Sequence, residues 1–295
     1  MELTILGSSG TWPNADTATS GYLVQHDGFN LWMDAGTGTL ANLQHHIQIP
    51  QIDAIVISHE HPDHFVDLYP CFYAWHYGEL GRPGLPVFVP TDFTQKLADV
   101  VSIDSQVVMR IAFAFTELAP GEAFEIGPFR VKTEPMVHLG LPALGFRFEA
   151  DGVVLAYTGD TGPTHHVEEL ARDADLLLAE ATWQDRDDLL PFHLSSRQAA
   201  VHARESGAKE LVLTHIWPAL DHAVSKEQAA EETAKDVYSS LRSAGLLRTG
   251  DAAEPAHEFL TTGDPDQFRR IAHHFLGPAL GGVDAVAVES VEVPG

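Results

Sequence analysis

Short apolar runs broken by turn-forming residues set the pattern of the first sixty positions. "LTIL" at 3–6 reads as a strand, followed by the small, polar loop "GSSGTWPNADTATSG". "YLVQH" (22–26) and "FNLWMDAG" (29–36) flank Asp27-Gly28, a hairpin-type turn. Residues 38–48 read as a helix, "DAIVIS" (53–58) as a buried strand, 65–80 as a helix, "LPVFVP" (85–90) as a strand and 91–101 as a helix. A β-rich middle follows in "RIAFAFTEL", "AFEIGPFRVKTEPMVH" and "LGFRFEADGVVLAYTGD", with turns at Gly127-Pro128 and Asp151-Gly152. From 163 helices and strands alternate: helix 163–172, strand 175–181, helix 195–206, strand 210–215, helix 225–243. Strands from both halves with helices between them predict an α/β fold, an αββα sandwich of two mixed β-sheets flanked by helices. The last fifty residues carry weaker signals, a short helix at 264–275 and a closing strand in "DAVAVESVEV". The chain reads as a single domain over 1–295, with 222–295 a C-terminal elaboration.

Composition narrows the setting. With 44% hydrophobic residues in 295, the chain has enough apolar surface for a sizeable core. No apolar run nears the roughly 20 residues needed to span a bilayer. The N-terminal "MELTILGSSG" lacks the features of a signal peptide, so a cytoplasmic location is expected. Cys71 stands alone, which excludes an internal disulfide and a multi-cysteine zinc site and predicts a core side chain. A net charge of −25 repels phosphate backbones and weighs against a large RNA or DNA substrate. A small-molecule substrate is expected, no membrane, and there is room for a homodimer.

The chemistry is concentrated in "ISHEHPDHF" at 57–65. His59 and His61, two apart behind a strand, can aim at one centre; Asp63 and His64, displaced around the turn, can reach a neighbouring one. Imidazole with carboxylate suits zinc, manganese or iron. Further candidates follow later apolar strands: His138 after "VKTEPMV", Asp160 after "VLAYTG" and His215 after "LVLT". The adjacent pairs His45–His46, His165–His166 and His273–His274 would point about 100° apart on a helix and are read as packing or surface residues.

This set, in this order, resembles the metallo-β-lactamase superfamily over about residues 3–220. The resemblance implies the metallo-β-lactamase fold and two divalent metal ions, with zinc expected and manganese or iron as alternatives. It places His59, His61 and His138 on one metal, Asp63, His64 and His215 on the other, and Asp160 between them. Asp34, in "WMDAG", matches the family's carboxylate that orients a ligand histidine, although a turn aspartate is an equal reading.

Two more stretches bear on the reaction. "LLLAEATWQ" puts Glu180 at the end of a strand, and "PFHLSSRQAA" puts His193 before a helix capped by Ser195 or Ser196. Together with Asp63 they are the expected catalytic residues, Glu180 holding His193 protonated and His193 donating to a phosphoryl or leaving oxygen. The pair resembles the phosphodiesterase branch that includes RNase Z, with its His-Glu-Ala-Thr and His-Ser-Thr segments. Here Ala179 replaces the first histidine, and His193-Leu194-Ser195 matches the second segment only loosely. The RNase Z arm that grips tRNA would lie between His138 and Asp160, where this chain has a plain hairpin. The opening segment, "MDAGTGTLANLQ", "GFRFE", "YTGDTG" and "HLSSRQA" resemble the bacterial cyclic-nucleotide phosphodiesterase-like members. The expected activity is therefore hydrolysis of a small phosphodiester such as a cyclic nucleotide. A lactone or thioester hydrolase on the same metals is the alternative, and an RNase Z-type ribonuclease a weaker one. Phe72, Trp75, Tyr77 and Trp183 are candidates for stacking a base.

Overall fold

The computed structural model describes residues 1–185 and 190–243 and two short paired strands, Phe259–Thr261 and Val283–Ala285. The helix expected at 264–275 and all but the first two residues of the closing strand lie outside the described residues.

Among the described residues two mixed sheets carry the fold. The first contains β1 (Glu2–Ser9), β2 (Ala18–Thr19), β3 (Gly21–His26), β4 (Phe29–Ala35), β5 (Ala54–Val56), β6 (Leu85–Pro90) and β7 (Phe113–Leu118), in the order β2-β1-β3-β4-β5-β6-β7. The second contains β8 (Ala123–Ile126), β9 (Phe129–Pro135), β10 (Leu144–Ala150), β11 (Val153–Tyr157), β12 (Leu176–Glu180) and β13 (Glu210–Thr214), in the order β13-β12-β11-β10-β9-β8.

Alternation along the strands explains the layering. Tyr22, Val24, Leu31, Met33 and Val56 pack between the sheets against Phe129, Val131, Phe146, Phe148 and Leu155. Their neighbours Leu23, Trp32 and Ile55 face outward and are covered by α1 (Thr39–Leu43), α2 (Pro62–Phe65), α3 (Leu68–Phe72), α4 (Phe93–Ala98) and α5 (Ile103–Ala112). On the far side Ala156, Leu177 and Ala179 meet α6 (His166–Ala171) and α7 (Ser196–Ser206). Each large side chain so buried contributes about 1.5–3 kcal/mol relative to exposure. The αββα sandwich is therefore what the sequence pattern predicts.

α8 (His222–Ser243) lies against α7, where Arg197 reaches Glu231 and Glu232 (3.2 and 3.3 Å) and Arg204 reaches Glu232 (3.1 Å). Among the described residues no helix is long and apolar enough to cross a membrane. Cys71 is fully buried, and desolvation pushes its thiol up to about 12.

Two local expectations fail for physical reasons. The helix expected over 65–80 is α2, α3 and a wide turn over Tyr73–Tyr77, because Asp67 N–H turns to the Ala35 carbonyl and Pro70 has no N–H to continue the ladder. The helix expected at 91–101 shortens to α4, and α5 follows under a Ser102 cap whose side chain accepts from Ser105 N–H. The apolar residues Ile103, Val107 and Ile111 of α5 are exposed, while Ser105, Met109 and Ala112 are buried. Apolar periodicity thus runs out of phase with burial, so the sequence pattern hides this helix.

Candidate metal centre

The carboxyl ends of β4, β5, β9, β11, β12 and β13 converge at one rim of the sandwich. Asp34 lies in β4, His59 follows β5, His138 follows β9, Asp160 follows β11, Glu180 ends β12, and His215 follows β13 directly. Pro62 opens α2 beneath His61 and turns Asp63 and His64 back toward the rim. His61 is partly open to solvent; the other residues of the expected set are buried.

The expected ligands come together as two clusters. One ligand atom each from His59, His61, His138 and Asp160 lies within 4.8 Å of the others, and so does one each from Asp63, His64 and His215. In the first cluster His61 Nδ1 is 3.0 Å from both His59 Nε2 and His138 Nε2. Asp160 Oδ2 lies 3.7 Å from His59 Nε2 and 3.3 Å from His215 Nε2, and Oδ1 lies 3.3 Å from His64 Nε2. One carboxylate therefore reaches both clusters.

Neighbouring groups fix three of the imidazoles. His64 Nδ1 donates to Asp34 Oδ2 at 2.7 Å, leaving Nε2 to face Asp63 and Asp160. Asp34 also accepts from Ser58 N–H (2.7 Å), Ser58 Oγ (2.8 Å) and Tyr157 OH (2.7 Å). That pattern matches the orienting carboxylate rather than the turn reading. His138 Nδ1 donates to the Phe192 carbonyl at 2.8 Å, and His215 Nδ1 to Thr182 Oγ1 at 2.7 Å. Asp63 Oδ2 accepts from Thr11 N–H at 2.9 Å and lies 3.2 Å from His215 Nε2.

Backbone strain gathers here. Asp34, His215, Thr11 and Leu139 (beside His138) take positive φ of 53°, 54°, 65° and 49°. Each such residue costs on the order of 1–3 kcal/mol, which the surrounding packing must sustain.

The donor set fits divalent cations. His64 Nε2 and Asp160 Oδ1 are buried without a hydrogen-bond partner among the described residues. Asp34, Asp63 and Asp160 are buried, and among the described residues no Lys or Arg pairs with them. Buried carboxylates of this kind need a cation to compensate their charge. Burial holds His59, His61 and His138 below the usual imidazole range, which keeps a lone pair available. At His64 burial pulls the same way, but Asp160, Asp63 and Asp34 outweigh it and raise its affinity for a proton. Burial would raise Asp160 and Asp63, yet their imidazole neighbours hold both below the usual carboxylate range.

Glu180 and His193 also meet. His193 Nδ1 lies 2.9 Å from Glu180 Oε1, and Glu180 further accepts from Thr161 N–H (2.6 Å), Thr182 Oγ1 (2.8 Å) and Leu194 N–H (3.2 Å). Burial opposes charge on His193, but the Glu180 carboxylate and its hydrogen bond prevail and push the imidazole up to about 9. His193 can also be grouped with Asp160 and His215, but its Nδ1 is engaged by Glu180 and is not a free ligand atom.

Several residues escape the sequence reading. Thr182 links Glu180 to His215, and its only signal is its place in Glu180-Ala181-Thr182. Ser58, Tyr157 and Thr11 carry no sequence signal of their contacts. Of the aromatic residues expected to stack a base, Phe72 and Trp75 belong to the core under the first sheet. Tyr77 is exposed near α5, with its hydroxyl 3.4 Å from Ser105 Oγ. Only Trp183 stands beside His193, with ring centroids 5.7 Å apart.

Asp34→Asn is expected to weaken metal binding by about 10–100-fold, because the amide cannot accept all four hydrogen bonds. Competition against a chelator measures this, and unchanged affinity would mean that Asp34 does not orient His64 toward a metal.

Comparison with known proteins adds to this geometry. The family described as "Beta-lactamase superfamily domain" matches residues 13–216. "Probable metallo-hydrolase YhfI" of Bacillus subtilis (strain 168) is 29% identical over 220 residues, covering 73% of this chain and 87% of that protein. Its crystal structure superposes with a TM-score of 0.70 at 26% identity, over 77% of this chain and 91% of that one. Rv1339 of Mycobacterium tuberculosis (strain ATCC 25618 / H37Rv) is 31% identical over 238 residues, covering 78% of this chain and 86% of that protein. "Ribonuclease Z" of Methanopyrus kandleri is 27% identical over 269 residues, covering 78% of this chain and 92% of that protein.

Proposed function

The chain belongs to the beta-lactamase superfamily, and from that premise we propose that it is a dinuclear metal-dependent phosphodiesterase acting on a small phosphodiester such as a cyclic nucleotide. In this reading His59, His61 and His138 hold one metal, Asp63, His64 and His215 the other, and Asp160 serves both. Zinc is the proposed metal, given that the donors are imidazoles and carboxylates. When bound, the metals supply Lewis-acid activation of water and neutralise charge on the phosphate.

The observation that carries the choice of a phosphodiester is the buried Glu180–His193 pair beside the metal ligands. Glu180 fixes the proton on Nδ1 and favours the imidazolium. His193 Nε2 has no hydrogen-bond partner among the described residues and is left to donate to the leaving oxygen. Thr182 Oγ1, accepting from His215 Nδ1, turns His215 Nε2 toward the centre, where it faces Asp63, itself fixed by Thr11 N–H. A relative named for ribonuclease activity, which breaks phosphodiesters, supports the same bond type.

Size argues for a small substrate. β10 and β11 are joined through Asp151-Gly152 with Ala150 paired to Val153, so a tight hairpin stands where a tRNA-binding arm would be inserted. The net charge of −25 works against a polyanion as well.

The test offers metal-loaded protein a chromogenic phosphodiester, cyclic nucleotides, a lactone and a thioester. Turnover of the phosphodiesters is expected. Turnover of the lactone or thioester alone would overturn the reading in favour of a carbon-ester hydrolase.

A further inference from the structure

Three of the chain's five tryptophans, Trp12, Trp183 and Trp217, meet at the mouth of the candidate centre. Trp183 stands edge-on to His193, its ring centroid 5.7 Å away at an interplanar angle of 85°. Trp217 lies 4.4 Å from Trp183 at 70°, and Trp12 lies 5.4 Å from Trp217 at 51°. The strip runs outward from the buried imidazole to Trp12, which is 41% exposed.

The strip is fastened to the metal ligands. Trp217 Nε1 donates to Thr11 Oγ1 at 3.1 Å, and Thr11 N–H donates to Asp63 Oδ2. Gly10 packs so closely that a Cβ there would meet the His215 carbonyl at 2.5 Å and Trp217 Cδ1 at 3.0 Å. The other two tryptophans, Trp32 and Trp75, are buried under the first sheet. Apart from Ile5, the exposed large apolar side chains among the described residues fall in two places. One is α5 and the segments beside it, with Val100 before it and the aromatic turn and Leu80 near it; the other comprises Trp12, Val137, Leu139 and Leu190, in segments that flank the candidate ligands and His193.

Aromatic side chains beside a polar reaction centre bind flat ring systems, since every base has a π-face to stack. We propose that Trp12, Trp217 and Trp183 form a subsite for a planar heteroaromatic group, a nucleobase, on the leaving-oxygen side of the substrate. The nucleotide identity rests on the phosphodiester reading above, and the side on His193 as donor to the leaving oxygen. Stacking accepts any base, so the subsite separates planar from non-planar leaving groups strongly and one base from another weakly.

The test uses the metal-loaded full chain with three probes: adenosine 5′-monophosphate, ribose 5-phosphate and adenosine. The nucleotide is expected to quench tryptophan emission and to bind about 10–100-fold more tightly than the sugar phosphate, the range given by one stacked base. Trp12→Leu and Trp217→Leu should each remove most of that difference, and Trp12→Leu should leave ribose 5-phosphate binding unchanged. If Trp217→Leu does not fold, Trp12→Leu, at an exposed position, carries the test alone. Equal binding of nucleotide and sugar phosphate, or a difference that survives both variants, overturns the subsite. Adenosine separates this failure from that of the phosphodiester reading. Quenching by adenosine that is lost in the variants supports the subsite even if no phosphodiester is hydrolysed. Absence of adenosine quenching overturns it even if phosphodiesters are turned over.

Discussion

Asp160→Ala is expected to lower phosphodiester turnover by about 10⁴-fold or more and to leave the protein unable to hold two metals. Its carboxylate reaches both clusters, through His64 and His215 on one side and His59 and His138 on the other. Without it each set of imidazoles keeps its position but loses the shared anion. A loss of 10⁴ corresponds to about 5.5 kcal/mol of transition-state stabilisation, within what a two-metal site supplies. The residue is buried among imidazoles, so circular dichroism should accompany the assay to establish that the variant folds. Asp160→Asn, nearly the same shape without the charge, should lose as much. Retention of a tenth of the activity by a folded variant would remove Asp160 from the centre of the account.

His193→Ala is expected to lower kcat by about 10²–10⁴-fold while metal content stays at the wild-type level. The separation follows from geometry: Nδ1 of His193 is held by Glu180, so its loss withdraws a proton donor and not a ligand. The effect should depend on the leaving group. A p-nitrophenolate leaves without protonation and should be slowed far less than the alkoxide released from a cyclic nucleotide. Equal slowing of both substrates, or loss of metal in the variant, would contradict the role assigned to the imidazole.

The sandwich was legible because apolar alternation in β3, β4 and β5 tracks which face each residue presents to the inter-sheet core. The convergence of the candidate ligands was legible for a related reason. His59, His138, Asp160 and His215 each lie within three residues of a strand end, and a buried strand delivers the residues that follow it to the rim. Asp63 and His64 sit on the short helix α2 that follows the same loop. α5 was not legible, because Ile103, Val107 and Ile111 face solvent while its buried face mixes Ser105 with Met109 and Ala112. The contacts of Thr182, Ser58 and Tyr157 were hidden as well. A hydroxyl's role depends on a partner far away in sequence, as Tyr157 to Asp34 illustrates. The tryptophan strip depends on bringing residues 12, 183 and 217 together, which the ordering of strands alone decides.

If two metals act together on a phosphodiester, activity must follow the second ion. Metal-depleted protein titrated with zinc, with hydrolysis of a cyclic nucleotide followed at each step, tests it most directly. Two ions bound per chain are expected, with a rate that rises to its maximum as the second ion binds. Full activity with one ion bound, or no phosphodiester hydrolysis with two, would contradict it.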